Sequence, residues 1–400
     1  MRVTQNSNQT QFLAALNTLE SNLSKTQNQI SSGLSFTTAS QDPVSAGLVT
    51  AYNQALSQSQ QYDTNSSSAQ TSLNTEDSAL TQVQSALQSL RDLALEANSG
   101  TESSQDLSAI ATQATQIQSS LLGLANTQDG SGNYIFGGYS TQTQPFTLTA
   151  AGATYNGDQG QRQVQIAAGQ TVVIGDNGDL VFNQIKTGNG TFVASAAAGN
   201  AGTGVVGATA VSDPTAYGGG TYSINFTAAN AYQVVNTATN AVVTSGTYAA
   251  GQTIAFSGLQ VTLSGQPAAG DSFSVAPSGN QSLFTSVQNL VTALQQTGST
   301  SSTASAQLNN SINAAINNID QALAQTQTVQ SSVGARLNTI TTQQSVASDQ
   351  QVQLKQSIST LQSLDYPSAI TSLDSQNTTL SAAMQAFTLT QGLSLFKFIS

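Results

Sequence analysis

The chain closes on "AFTLTQGLSLFKFIS", residues 386–400, where Leu393, Leu395, Phe396, Phe398 and Ile399 stand beside a single charge, Lys397. Chain ends are usually frayed and polar, because ordering them costs conformational entropy that little burial offsets. An apolar end therefore predicts a partner surface. Upstream of it Ile370, Leu373, Asn377, Leu380, Met384 and Phe387 step by three and four, as one stripe of an amphipathic helix does. A matching stripe, Phe12, Leu16, Leu19, Leu23, Thr26 and Ile30, lies at the opposite end of the chain. The spacing predicts that the two termini pair as helices. Such Gln-rich strips are marginal alone and gain order best when further copies bury their remaining faces.

Between the termini, glycine divides the sequence. Of 32 glycines, 24 fall between residues 131 and 280, so the middle is expected to be strands and turns while both flanks are free to be helical. Asp42 and Pro43 read as an N-cap and first helical residue. From Val44 an apolar stripe continues through Leu73, Leu80, Val83, Leu87, Leu90 and Ala94. A helix of roughly 55 residues would be about 80 Å long, which suits a rod. Leu107, Ile110, Ala114, Ile117, Leu121 and Leu124 predict another helix. The C-terminal flank answers with Leu308, Ile312, Ile316, Ile319 and Leu323, then Leu337, Ile340, Gln344, Ala347, Gln351, Leu354, Ile358 and Leu361. In the middle, "QVQIAAGQTVVIGDNGDLVF", "GTYSINFTAANAYQVV" and "GQTIAFSGLQVTLSGQPAAGDSFSV" alternate apolar and polar residues around Gly-rich turns, the mark of antiparallel strands.

The expected fold is α+β, a long antiparallel helical bundle or coiled-coil rod formed by the two flanks, with an inserted mostly-β region. Its divisions are a terminal core at 1–35 with 365–400, a helical rod at 36–145 with 280–364, and a β-rich part at 146–279 of one or two small modules.

Composition narrows the function. Only 7% of residues are charged, the net charge is −11, and Lys plus Arg number eight, so no basic stripe exists to neutralise nucleic-acid phosphates or an anionic membrane. Cys and His are absent, which removes thiolate nucleophiles, imidazole bases and ordinary zinc sites. No run approaches the roughly 18 apolar residues of a membrane span, and the N-terminus lacks the apolar core of a secretory signal.

Several short motifs could hold chemistry, and each has a plainer reading. "GDNGD" at 175–179 offers Asp176 and Asp179 as calcium donors but lacks the other ligands of a calcium loop, so a hairpin turn is expected. Asp158, Asp213 and Asp271 could pair with them as glycosidase carboxylates, yet each sits in a Gly- or Pro-rich turn and no spacing singles out a pair. "GNAGTGVVG" at 199–207 has no following Lys-Ser/Thr and reads as a surface loop. "NYIFGG" at 133–138 reads as a helix-exit turn, with Gly137 and Gly138 supplying backbone freedom and Tyr134 and Phe136 packed beneath.

"ISSGLSFTTASQDPVSAGLV" at 30–49, "NYIFGGYSTQTQPF" at 133–146, "YNGDQGQRQVQIAAGQTV" at 155–172, "VGARLNTI" at 333–340 and the ending "GLSLFKFIS" together resemble the flagellin family. Asp42-Pro43 and the element Tyr134, Phe136, Gly137, Gly138 resemble its hook–filament junction branch more than the filament subunit. The resemblance covers about two-thirds of the chain and leaves the role of 189–279 open. It implies a non-enzymatic, cofactor-free axial protein of the bacterial flagellum, extracellular, and exported through the flagellar type III channel without a cleaved signal. It further implies self-assembly into a ring through the terminal helices (Phe12, Leu16, Leu19, Leu23, Ile30, Leu373, Leu380, Met384, Phe387, Leu393, Leu395, Phe396, Phe398 and Ile399). Expected partners are a neighbouring hook-associated junction protein, flagellin, and a cytosolic export chaperone over the apolar C-terminal helix. A flagellin, or a secreted adhesin or glycan-binding β domain on a helical stalk, are the competing readings.

Overall fold

A computed structural model of the protein describes residues 2–100, 102–296 and 301–396. The helices are α1 (Arg2–Ser32), α2 (Pro43–Ala97), α3 (Ser104–Ala125), α4 (Pro214–Tyr217), α5 (Leu283–Gln295), α6 (Ser302–Gln362) and α7 (Tyr366–Phe396). The strands β1 (Phe146–Thr149), β2 (Gly152–Tyr155), β3 (Gln163–Ala167), β4 (Gln170–Val173), β5 (Ile185–Lys186), β6 (Phe192–Ala196) and β7 (Val205–Val211) precede α4. After it come β8 (Tyr222–Ala228), β9 (Ala231–Asn236), β10 (Val242–Thr247), β11 (Thr253–Phe256), β12 (Leu259–Ser264), β13 (Ser272–Pro277) and β14 (Asn280–Gln281). The α+β expectation holds, with long helices flanking antiparallel sheets. The two C-terminal apolar runs at 308–323 and 337–361 belong to one 61-residue helix, α6.

The chain divides into two compact units, Met1–Thr64 with Gln343–Ser400, and Asn65–Thr342. In the first unit α1 and α7 pack against each other. Phe12 stacks on Phe387 while Gly33 lies 3.0 Å (by an added Cβ) from the Tyr366 hydroxyl, so the start of one helix meets the end of the other and they run antiparallel. The turn after α1 is tied to the turn before α7 by backbone bonds from Ser35 N to Gln362 O (2.7 Å) and Leu364 N to Gly33 O (3.0 Å). Gly33 has φ +71°, a conformation that favours glycine. Asp42 caps α2 as expected: its Oδ1 accepts from Ser45 N at 3.0 Å, and the hydrogen bonds from Ser45 hold its carboxyl below the usual range.

The second unit has two cores. One lies between α2, α3, α5 and α6 and is lined by Leu73, Leu80, Val83, Leu87, Leu90, Leu107, Leu121, Ile312, Ile319 and Ile340, the stripes anticipated from spacing. Phe146, Ile166, Val172, Val181, Phe182 and Ile185 join the same core, so β1–β5 are built onto the helices. The other core is enclosed by the sheets β10-β9-β8-β13-β6 and β11-β12-β7, with Phe192, Ile224, Phe226, Val261, Leu263 and Phe273 inside. The expected strand pairs at 222–236 and 253–264 form as β8–β9 and β11–β12. One strand expectation fails: after the β3–β4 hairpin, "DLVFN" at 179–183 winds into a single π-helical turn. That turn buries both Val181 and Phe182, which alternation on a strand would have sent to opposite faces.

The element at 133–138 is not the exit of α3, which ends eight residues earlier at Ala125. It is a loop folded back on the helix end, with Ile135 N bonded to Thr127 O and Tyr134 N to Thr141 O. Phe136 is buried but Tyr134 is half-exposed, because only the former reaches the core. Gly138 has φ +68°, and a Cβ there would lie 2.3 Å from Asp158 O. Gly251 also has positive φ, +86°, but faces open space. Gly251→Ala should cost about 1–2 kcal/mol for backbone strain alone, whereas Gly138→Ala should cost more than that because backbone atoms must also move. Denaturant melts of the two variants test the difference.

Candidate functional site

Neither unit presents a catalytic constellation among the described residues. Each carboxylate singled out in the sequence is engaged in holding backbone or a neighbouring side chain. Asp158 accepts from Tyr139 N (2.9 Å), Gly160 N (2.7 Å) and Ser140 Oγ (2.8 Å), and these bonds, that of Tyr139 foremost, hold its carboxyl low. Asp271 accepts from the amides of Ala201, Gly202 and Ala268. Asp213 caps α4 through Thr215 and Ala216. Asp179 accepts from Gln159 and Gln184, each at 2.9 Å. The hairpin turn expected at 175–179 is instead a connection from β4 into the π-helical turn, and its Asp176 is buried in an ion pair with Arg336 of α6.

That ion pair belongs to a cluster the sequence did not reveal. Glu76 of α2, 1% exposed, accepts from Asp176 N at 3.0 Å through Oε1, and its Oε2 has no hydrogen-bond partner. Arg336 also reaches Val173 O. Two carboxyls and one guanidinium share this site, so full ionisation would leave one uncompensated buried negative charge. Burial first, and the charge of Asp176 second, push the Glu76 carboxyl up to about 8.

The site the sequence points to is the terminal helix pair of the first unit. Phe12 and Phe387 stack with ring centroids 5.1 Å apart and planes 9° from parallel. Leu16, Leu19, Leu23, Ile30, Leu373 and Leu380 are half-buried along the pair. The pair does not cover all of its apolar surface: Leu13, Ile370 and Met384 are exposed, and Leu389 is 68% exposed. Met384 thus keeps the spacing of the stripe yet lies outside the contact. Leu393, Leu395 and Phe396 follow the last side chain described, and Phe398 and Ile399 lie outside the described residues. The signature residues Asp42, Pro43, Phe136, Gly137 and Gly138 serve caps, turns and core and form no common site with the helix pair. No helix among the described residues is long and apolar enough to cross a membrane.

The comparisons follow the same division. The family described as the bacterial flagellin N-terminal helical region matches residues 3–141, and the flagellin C-terminal helical region matches 316–399. Residues 195–277 match the D2-like domain of flagellar hook-associated protein 1. The chain is 28% identical over 187 residues to flagellar hook-associated protein 3 of Salmonella typhimurium, covering 47% of this chain and 58% of that protein. It is 31% identical to the Escherichia coli protein of the same name, covering 40% of this chain and 50% of the relative. The aligned part is thus little more than half the length of these curated relatives. Among solved structures, FlgL of Xanthomonas campestris matches with a TM-score of 0.72 and 33% identity, over 77% of this chain and 99% of that one. Flagellar hook-associated protein 3 of Legionella pneumophila matches with a TM-score of 0.73 and 31% identity, over 78% and 98%.

Two measurements probe these sites. Folded Glu76 keeps its proton to about pH 8 whereas the unfolded chain releases it near 4.5, so the folded state binds more protons between those values and stability falls as pH rises through them. Glu76→Gln should flatten that fall and raise the melting temperature at pH 8 and above, read by thermal melts across pH. In a double-mutant cycle, Phe12→Ala and Phe387→Ala should couple by about 0.5–1.5 kcal/mol; additive losses would mean that the rings do not stack in the isolated chain.

Proposed function

The chain belongs to the flagellin family, among its hook-associated protein 3 members, and from that premise we propose that it is a structural axial protein joining hook to filament. The observation that carries this reading is the terminal pair α1–α7, stacked at Phe12 and Phe387 yet leaving Leu13, Ile370, Met384 and Leu389 uncovered. Apolar surface left uncovered along a helix pair marks an interaction surface. Copies set side by side would bury it and order both extremities together, and residues 1–35 with 365–400 would then line the inside of a ring.

On this reading each copy meets like copies around the ring, another hook-associated junction protein on the hook side, and flagellin on the filament side. The strip that neighbours bury after assembly needs cover before it, which is the work of a cytosolic export chaperone on the C-terminal helix. Passage unfolded through the flagellar type III channel suits a chain with no cysteine to cross-link. No catalytic step is assigned, since the carboxylates of the β region are all engaged in hydrogen bonds or an ion pair.

Deleting the gene should leave hooks intact and release flagellin into the medium, and a tagged chain should sit in one narrow band on isolated flagella. Label spread along the whole filament would identify a filament subunit instead. A chain trimmed of α1 and α7 should be absent from flagella while its remaining unit still melts cooperatively.

A further inference from the structure

The hairpin β3–β4 pairs with no other strand among the described residues. Two strands alone are marginal in water, so its order depends on what lies beneath it. Ile166 and Val172 are buried in the core it shares with the helices. Polar contacts do the rest. From α2, Asn65 Nδ2 donates to Gln165 O at 2.8 Å, and Glu76 Oε1 accepts from Asp176 N at 3.0 Å. From α6, Arg336 donates to Val173 O at 3.4 Å and pairs with the Asp176 carboxylate. Before the hairpin Gly160 N is held by Asp158, and after it Gly178 N donates to Phe136 O at 2.8 Å. The tip, Gly169, has φ +73° and open space around it. Residues 162–177 thus form a flap, anchored at both ends and fastened to two helices in between.

The fastening depends on one proton. Glu76 is 1% exposed and its Oε2 has no partner, while the charges that act on it are those of Asp176 and Arg336. Beside it on α2, Asp77 accepts from Gln330 of α6 at 2.9 Å. Beyond Asp176, Asp179 accepts from Gln159 and Gln184, and Arg162 of the flap comes 3.7 Å from a Cβ added at Gly175. With Glu76 neutral, Asp176 and Arg336 balance. With Glu76 ionised, two carboxylates face one guanidinium in a site closed to water, and the flap's own Asp176 is the group repelled. Lifting the flap separates the two carboxylates and admits water to both.

We propose that residues 162–177 are a proton-latched flap: protonated Glu76 keeps it closed on α2 and α6, and loss of that proton lets it lift while the helices stay folded. The closed flap holds the Glu76 proton to about pH 8, and the lifted flap, open to water, releases it near 4.5. The lifted state therefore binds fewer protons between those values, and each pH unit there favours it by up to about tenfold. Lifting uncovers Ile166 and Val172, so an alkaline medium gives the chain an apolar surface that it lacks in an acidic one.

Amide hydrogen exchange of the full-length chain from about pH 5 to about pH 9, read by mass spectrometry and corrected for the intrinsic exchange rate, tests the latch in the wild type and in Glu76→Gln. Expected is a protection of flap peptides at 163–176 that falls by up to about tenfold per pH unit to about pH 8 and then levels, with no such fall in Glu76→Gln. Peptides from the helical stripes at 83–90 and 312–323 should remain at least about 100-fold more protected than the flap at pH 8. Equal protection of flap and stripes at every pH would mean that Glu76 acts on global unfolding alone, and would overturn the flap. So would flap protection that is independent of pH, or a fall that survives Glu76→Gln. Should Glu76→Gln fail to fold, the wild-type comparison of flap with stripes across pH decides.

Discussion

Four phenylalanines from four separate elements hold together the helix-side core of the second unit. Phe136 comes from the loop after α3, Phe146 from β1, Phe182 from the π-helical turn and Phe284 from α5. Phe182 meets Phe136 edge-on at 5.2 Å and Phe146 edge-on at 5.4 Å, and Phe284 closes the cluster 5.2 Å from Phe146. All four are fully buried. Edge-to-face rings are directional as well as apolar, so the cluster fixes angles between elements that have little else in common. The glycine turn at 137–138 adjoins it, where a Cβ would meet Ser140 O at Gly137 and Asp158 O at Gly138. The π-helical turn serves it, because it sends Val181 and Phe182 to the same core.

Scarcity of charge is the second organising fact. Two ion pairs occur among the described residues, Arg91 with Asp320 and Arg336 with Asp176. Elsewhere side-chain amides and hydroxyls do the joining, as between Gln84 and Gln330 or Asn98 and Asn313. Such bonds are modest individually and depend little on ionic strength. In this setting the Glu76 site stands out, a carboxyl that helix α2 places in the core against Asp176 and Arg336, stable there because it can hold a proton.

The helical framework was legible because periodicity reports burial directly. Leu73, Leu80, Leu87 and Leu90, read as one stripe, are all fully buried, and the Asp42 cap forms as its residue type demands. The hairpins at 222–236 and 253–264 were equally plain. What failed was local reading of segments whose shape is set from far away. "GDLVF" alternates like a strand, but Phe182 is claimed by a cluster from three other elements. "GDNGD" looks like a turn, but its first aspartate answers an arginine 160 residues distant. Glu76 falls on the buried stripe by spacing, three residues after Leu73 and four before Leu80, but its residue type reads as solvated and hides it. At the termini the pairing could be foreseen, but not which stripe residues remain uncovered: Met384 has the spacing of Leu380 and a different surrounding.

The outer sheets sit on α6 by one recurring kind of attachment. Asn310 bonds Gly204 O and Val206 N, Asn313 bonds Val206 O, Asn318 bonds Gly188 N, Gln307 bonds Ala198 O and Thr303 bonds Ala201 O. In every case the helix supplies the side chain and the β region supplies main chain. Main-chain groups are the same whatever amino acid carries them. Substitutions across the outward surface of those sheets therefore leave these bonds intact, so that surface can change its chemistry without loosening its seat on the helix.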